Sequence, residues 1–204
     1  VVYRTPGLNV ARGASPSPPR RYRRPVRYVA LLRGIAPSNP NMRNEKLRGV
    51  LEGLGFGNVA SVISSGNLLF DADDGADPAE LEELIEAAWP KELGFESTTI
   101  IRSREDLERL IAADPFAGRT DDRTSRLNVT FLKHEPEGDV PLPHRADDGT
   151  YEAFALADRT VFSAVDSTAR RTPDLMRWLE RTFGKAITTR TWKTVNRIAG
   201  RMDG

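Results

Sequence analysis

RYVALLRGIAPSNPN, residues 27–41, is the stretch around which the chain is organised. Tyr28, Val29, Ala30, Leu31 and Leu32 form an unbroken apolar run, the pattern of a strand buried on both faces. The run stops at Gly34, enters a Pro, Ser and Asn loop, and resumes as an amphipathic helix with Leu47, Val50, Leu51 and Leu54 on one stripe. Asn41 or Asn44 is expected to cap that helix, and Gly53 or Gly55 to end it. A strand–loop–helix entry of this kind sets polar groups at the edge of a sheet, where α/β proteins tend to keep their sites.

Outward from this stretch the periods change in order. VASVIS and NLLF read as two strands joined by a turn at Ser65 and Gly66. Asp77-Pro78-Ala79-Glu80 reads as an N-cap, a first-turn proline and a capping acid. The helix that follows buries Leu81, Leu84, Ile85 and Ala88, and Pro90 is expected to close it. A strand over residues 97–102 completes βαββαβ, the ferredoxin-like order. A connecting helix opens at Ser103–Asp106. Leu127, Val129 and Phe131 then alternate with Asn128 and Thr130 as a half-buried strand. After a polar loop at 133–149, Tyr151–Leu156 and Thr160–Val165 make a hairpin across Asp158-Arg159. Thr172-Pro173 starts a helix with Leu175, Leu179 and Phe183, a strand follows at 186–189, and a last helix runs over 192–199.

The fold class read from this order is α+β: two ferredoxin-like halves, the second with its first helix reduced to a loop, plus a C-terminal helix. The expected division is a basic tail at 1–25, one half at 26–102, a connector at 103–126 and the second half at 127–204. No residue-by-residue repeat is evident between the halves.

Composition narrows the function classes. The 204 residues contain no cysteine, which excludes disulfides, thiolate metal sites and a cysteine nucleophile. No apolar run approaches the length of a membrane span, and the N-terminus lacks a signal-peptide core. A cytoplasmic protein is the simplest expectation. Residues 1–27 hold seven of the 30 basic residues and no acid, leaving 23 basic against 29 acidic residues in the remainder, a balance of −6. The segment 1–25, rich in Pro, Ser, Gly and Arg, is expected to be unstructured. It is either an inert tail, the reading favoured here, or a basic arm for nucleic acid.

Three polar clusters stand at strand ends: Arg33-Gly34 with Ser38, Asn39 and Asn41; Ser64-Ser65-Gly66-Asn67; and Thr188-Thr189-Arg190-Thr191-Trp192-Lys193. A guanidinium beside a helix start suits phosphate or carboxylate, while Gly66 also serves the turn and Asn and Ser also serve as caps. The expectation is that Arg33, Asn67 and Arg190 converge on a small anionic or nucleotide-like ligand. Single-stranded nucleic acid is the less favoured partner, since the strands lack paired exposed aromatics. A dimerisation module is the third alternative, and the oligomeric state is open. Asp71, Asp73, Asp74 and Asp77 lack the register of a calcium loop, His134 and His144 lack an acidic helix motif, and no cofactor fingerprint is present. Neither a metal nor a cofactor is therefore expected, and no catalytic residue is assigned.

LLRGI at 31–35, LGF-x-NV at 54–59, SGNLLF at 65–70 and TTR-x-W-x-T at 188–194 together resemble the bacterial DUF1697 family of uncharacterised proteins. The resemblance runs from about Val26 nearly to the end. That family usually carries an Asn-Val-Gly-Gly loop after Arg-Gly-Ile; here residues 36–40 are Ala-Pro-Ser-Asn-Pro, one residue shorter, which argues against a cradle built from paired glycines. It also often has Asn where this chain has Thr191. The resemblance implies a fold and motif positions, and no reaction.

Overall fold

The structure, a computed structural model, describes residues 25–203. The tail expected at 1–25 lies, apart from Pro25, outside them. Residues 26–103 form one antiparallel sheet from β1 (Val26–Leu32), β2 (Gly57–Ser61), β3 (Asn67–Ala72) and β4 (Thr99–Ser103), in the order β2-β3-β1-β4. Helices α1 (Asn44–Gly53) and α2 (Pro78–Leu93) connect β1 to β2 and β3 to β4. A second antiparallel sheet contains β5 (Ser125–Leu132), β6 (His144–Arg145), β7 (Tyr151–Ala157), β8 (Thr160–Asp166) and β9 (Ile187–Thr191), in the order β6-β7-β8-β5-β9. Helix α3 (Arg104–Ala112) joins the two sheets, α4 (Leu175–Phe183) links β8 to β9, and α5 (Trp192–Met202) ends the described chain.

The opening stretch explains the layering. Tyr28, Ala30 and Leu32 face one side of the first sheet and meet Leu47, Leu51, Ile85 and Trp89 of α1 and α2. Val29 and Leu31 face the other side and join Val129, Phe131 and Phe162 of the second sheet, with Leu107 of α3 and Val195, Ile198 and Met202 of α5. Beyond the second sheet, Leu175, Trp178 and Leu179 of α4 cover Leu132, Tyr151 and Ile187. A strand flanked by two apolar layers has no polar side to alternate, hence the continuous run.

β4 is an edge strand, and an exposed edge leaves N–H groups without partners. Two carboxylates of α2 satisfy them: Glu82 accepts from the Ile101 amide at 2.8 Å and Glu86 from the Thr99 amide at 2.8 Å. Glu82 is consequently buried, 4% exposed. Lys133, at the end of β5, reaches across to Glu86 at 2.6 Å and Glu82 at 3.8 Å.

Several expected boundaries are corrected. Pro90 does not close α2. The helix continues one turn to Gly94, whose φ of 74° forms the left-handed cap. Trp89 holds that turn in place, being fully buried with its indole donating to Thr99 Oγ1 at 3.0 Å. Neither Asn41 nor Asn44 caps α1. The cap position is Arg43, while Asn39 caps a short 3-10 turn at Pro40–Met42 and Asn44 reaches across to the Ile63 carbonyl. Strand β2 ends at Ser61, because Ile63 adopts a φ of 53° that no strand accommodates. Helix α4 begins at Leu175, two residues beyond the expected Thr172-Pro173 start.

Gly66 is the tightest point of the β2–β3 turn. Its φ is +70°, and a Cβ there would come within 2.6 Å of Ile35 Cγ1 and 2.9 Å of Leu32 Cβ. Gly94 has a similar φ of +74° with open space around it. Gly94→Ala should therefore cost about 1 kcal/mol of backbone strain, and Gly66→Ala roughly 1–3 kcal/mol more for overpacking. Urea unfolding of both variants checks this, and equal losses would refute the steric reading.

Candidate functional site

The two halves meet through a reciprocal exchange of arginines. Arg102 of β4 lies opposite Val29 of β1, and Arg190 of β9 lies opposite Val129 of β5. Arg102 donates to the carbonyls of Ile101 and Leu132 at 2.8 Å and of Arg159 at 3.4 Å. Arg190 donates to the carbonyls of Leu32 at 2.8 Å and of Ser65 and Gly66 at 3.1 Å. Each guanidinium thus leaves its own half and binds the other half at the same place, the end of the first strand and the turn of the hairpin. The correspondence continues: Leu32 N–H bonds Gly66 O at 2.8 Å and Leu132 N–H bonds Arg159 O at 2.9 Å. Ser103 caps α3 as Thr191 caps α5. The halves share these residue equivalences although no repeat is evident along the sequence.

Arg190 also gives its Nε to Asn67 Oδ1 at 2.5 Å and its Nη1 to Thr188 Oγ1 at 2.7 Å and Thr189 O at 2.9 Å. Protein acceptors engage all three of its nitrogens. Burial pushes its pKa down to about 10, so it stays charged at neutral pH. Of the expected convergence, Arg190 and Asn67 do meet, with Ser65 and Gly66 in the same node. Arg33 does not join them: it donates to Glu180 at 2.5 Å and to the Ile187 carbonyl at 3.0 Å, so an acid of the protein supplies its counter-charge. Gly34 follows it in the β1 exit loop with a φ of 73°. Asn41 donates to the Leu93 carbonyl, Thr189 meets Thr130 at 2.8 Å, Trp192 packs on Phe116, and Lys193 donates to the Asp121 carbonyl. These residues occupy separate surroundings.

Open space lies instead at the counterpart of this node. Where the first half's strand end has Arg33 and Gly66 and receives Arg190, the second half's has Lys133 and Arg159 and receives Arg102. Arg159 stands between two cavities. One, of about 510 Å³, is lined by Leu107, Leu110, Phe131 and Phe162 together with Arg102, Arg109, Arg159 and the acids Asp106, Glu135 and Asp158. The other, of about 520 Å³, is lined in part by Glu82, Glu86, Lys133, His134 and Arg159. Asp158 and Arg159 form the hairpin turn with φ of 46° and 54°. Left-handed backbone favours glycine, and Asp tolerates it better than Arg. The strained Arg159 spends its side chain on the site: Nη1 donates to the Lys133 carbonyl at 3.1 Å and Nε faces Glu135 at 3.6 Å.

Arg102 has its pKa lowered to about 10, first by burial and then by the positive charge of Arg159. Burial raises the Glu82 carboxyl above its ordinary range, and Glu86 adds to the effect. The Ile101 amide, Lys133 and Arg102 oppose it. Among the described residues, no group of three or more His, Cys, Asp or Glu side chains could hold a metal ion. Likewise, no helix there is long and apolar enough to cross a membrane. Sequence reasoning missed Glu82, Lys133 and Arg159 because they come from three distant segments. The available signal was a two-residue hairpin loop with no glycine.

Fold and site together define a mixed α+β protein of two antiparallel sheets with a cleft at their seam. The chain belongs to DUF1697, a family of proteins of unknown function, whose sequence model matches residues 26–162. Its fold is similar to that of the conserved bacterial protein SP0830 from Streptococcus pneumoniae, with a TM-score of 0.67 and 22% identity over 89% of this chain and 100% of that one. No curated protein matches it.

The raised Glu82 pKa has a defined sign. The folded state binds this proton more tightly than the unfolded chain, so Glu82 contributes most below its ordinary pKa, and that contribution is lost as pH rises through the raised value. The stability difference between wild type and Glu82→Gln, read from urea unfolding at several pH values, should shift against the wild type from acid toward neutral pH. A difference shifting the other way would mean that the Lys133 pairing outweighs burial.

Proposed function

We propose that this protein binds a small ligand with an apolar body and an anionic group in the seam cleft beneath α3. The anion sits at the Arg159 and Arg109 end, and the body lies over Leu107, Leu110, Phe131 and Phe162. One observation carries this reading: a cavity of about 510 Å³ combines an aromatic and aliphatic lining with Arg102, Arg109 and Arg159, set among Asp106, Glu135 and Asp158. Ligand sites characteristically join an apolar lining to a few placed polar groups. Of the three arginines, Arg102 is committed to carbonyls and Arg109 to Asp106, while Arg159 keeps Nη2 beyond its Nη1 bond to the Lys133 carbonyl and its Nε pairing with Glu135 at 3.6 Å. Arg159 also holds a backbone conformation that a glycine would hold with less strain, and strain of this kind concentrates at functional sites.

The same reading treats each half as a ferredoxin-like unit. The strand orders β2-β3-β1-β4 and β7-β8-β5-β9 correspond when β1, β2, β3 and β4 are matched to β5, β7, β8 and β9. The ligand then occupies strand-end loops of the second half, the counterpart of the node occupied by Arg190 in the first.

Arg159→Gly tests the proposal, because it removes the guanidinium and relieves the strain together. The unliganded variant should be as stable as wild type or up to about 1 kcal/mol more stable. Thermal shifts are then measured with aromatic carboxylates and nucleoside monophosphates as probes. Wild type should be stabilised by at least one of them, and Arg159→Gly should lose that stabilisation. An undiminished shift in the variant, or no shift in wild type with any probe, would overturn the proposal.

A further inference from the structure

The chain is strongly polarised in charge. Residues 26–166 carry 15 basic and 26 acidic residues, a balance of −11, whereas residues 167–203 carry nine basic and three acidic. Within that last segment, eight of the nine cations are exposed, Arg190 being the buried exception. Its acids are already engaged: Glu180 by Arg33, Asp174 by Arg177 and Asp203 by Arg104. Arg197 and Arg201 have no carboxylate within ion-pair distance among the described residues, nor do Arg170, Arg171, Arg181 and Lys185.

Helix α5 gives part of this charge a regular geometry. Val195, Ile198 and Met202 face the core, and Lys193, Arg197 and Arg201 form an i, i+4, i+8 row on the opposite, exposed side. Like charges at this spacing repel one another. The helix dipole favours Arg201, in the last turn, and disfavours Lys193, in the first. Lys193 is offset by Asp121, whose carbonyl lies at 3.1 Å and carboxylate at 3.7 Å. Neighbouring α3 brings Glu108, but that carboxylate is paired with Arg104 at 2.6 Å.

We propose that the outward row of α5 is a docking surface for the phosphate backbone of a nucleic-acid duplex. Arginine matches phosphate with paired donors, and seven of the nine cations in the segment are arginines. A duplex is favoured over single strands because stacking platforms are missing: Trp192 is packed on Phe116 at 5.1 Å and Trp178 on His144 at 4.4 Å. An anionic membrane is disfavoured because the outward positions between the cations are Asn196 and Gly200, with no apolar side chain to insert. The acidic remainder of the molecule orients this face toward a polyanion and repels the others.

The test uses the full chain and a labelled DNA duplex, with an RNA duplex in parallel, followed by fluorescence anisotropy between about 50 and 200 mM salt. Binding without sequence preference is expected, with an affinity that falls linearly on logarithmic axes as salt rises. Arg197→Glu with Arg201→Glu should weaken it at least about tenfold and lower the slope by about one for each phosphate no longer neutralised. Its melting temperature should be unchanged, since both residues are exposed. Four results would each overturn the proposal. Wild type fails to bind at low salt; the double variant binds undiminished, as it would if the N-terminal arginines alone were responsible; phosphatidylserine vesicles are bound and duplexes are not; or wild type self-associates without nucleic acid and the variant does not.

Discussion

Two buried guanidiniums, exchanged between the halves, are the constraint on which the remaining structure depends. Taking a charge out of water is expensive unless its hydrogen bonds are replaced. Arg102 and Arg190 replace theirs chiefly with backbone carbonyls of the opposite half, which are the C-terminal ends of β1 and β5 and the hairpin turns beside them. Leu32, Gly66 and Leu132 are themselves buried, and without the opposite half the two guanidiniums would lose most of their acceptors. The halves are thereby bound together, and the strand ends expected to hold a ligand are part of that framework. Lys133 and Arg33 extend the same exchange at the next residue, to Glu86 and Glu180 respectively.

The two ends of this arrangement differ where one turn differs from the other. In the first half the turn closes with Gly66, which has no side chain and no room for one against Leu32 and Ile35. The node there is solid. In the second half the equivalent position is Arg159, whose side chain leaves the turn and stands between two cavities. A locally unfavourable backbone at one residue thus stands beside two of the cavities. Such departures from local preference are where function is to be sought, because selection for stability alone would remove them.

The element order was legible because each segment carries its own period. Continuous apolar β1, the capping signature at Asp77-Pro78 and the alternation of Leu127, Val129 and Phe131 are local facts that tertiary structure did not override. Local rules failed where packing decided. Pro90 continues a helix because Trp89 anchors the following turn, and Ile63 leaves β2 in a conformation that its branched side chain disfavours. Arg33, Asn67 and Arg190 do stand at strand ends as expected, but none of them lines the seam cleft. Sequence pattern held no sign that carbonyls would engage Arg190, since backbone acceptors leave no trace in residue identity. The internal equivalence was present in the letters, with Arg102-Ser103 preceding Asp106-Leu107 as Arg190-Thr191 precede Thr194-Val195. Two matching residue types in each segment are too few to recognise until the register aligns them.

Native-state hydrogen exchange of Arg190→Met tests the central claim most directly. Arg190 belongs to β9, yet the carbonyls it satisfies are those of Leu32, Ser65 and Gly66. Gly66 O keeps the Leu32 amide and Leu32 O keeps Thr188 Oγ1, so the groups left without a donor are Ser65 O and Asn67 Oδ1, and the loss should be at least about 2 kcal/mol, at roughly 1–3 kcal/mol per orphaned group. Faster exchange is expected at the amides of β1 and β3, in the half that does not carry the substitution, at least as pronounced as in β9. Acceleration confined to β9 and its neighbour β5 would contradict the claim, and would mean that the halves stand independently of the arginine between them.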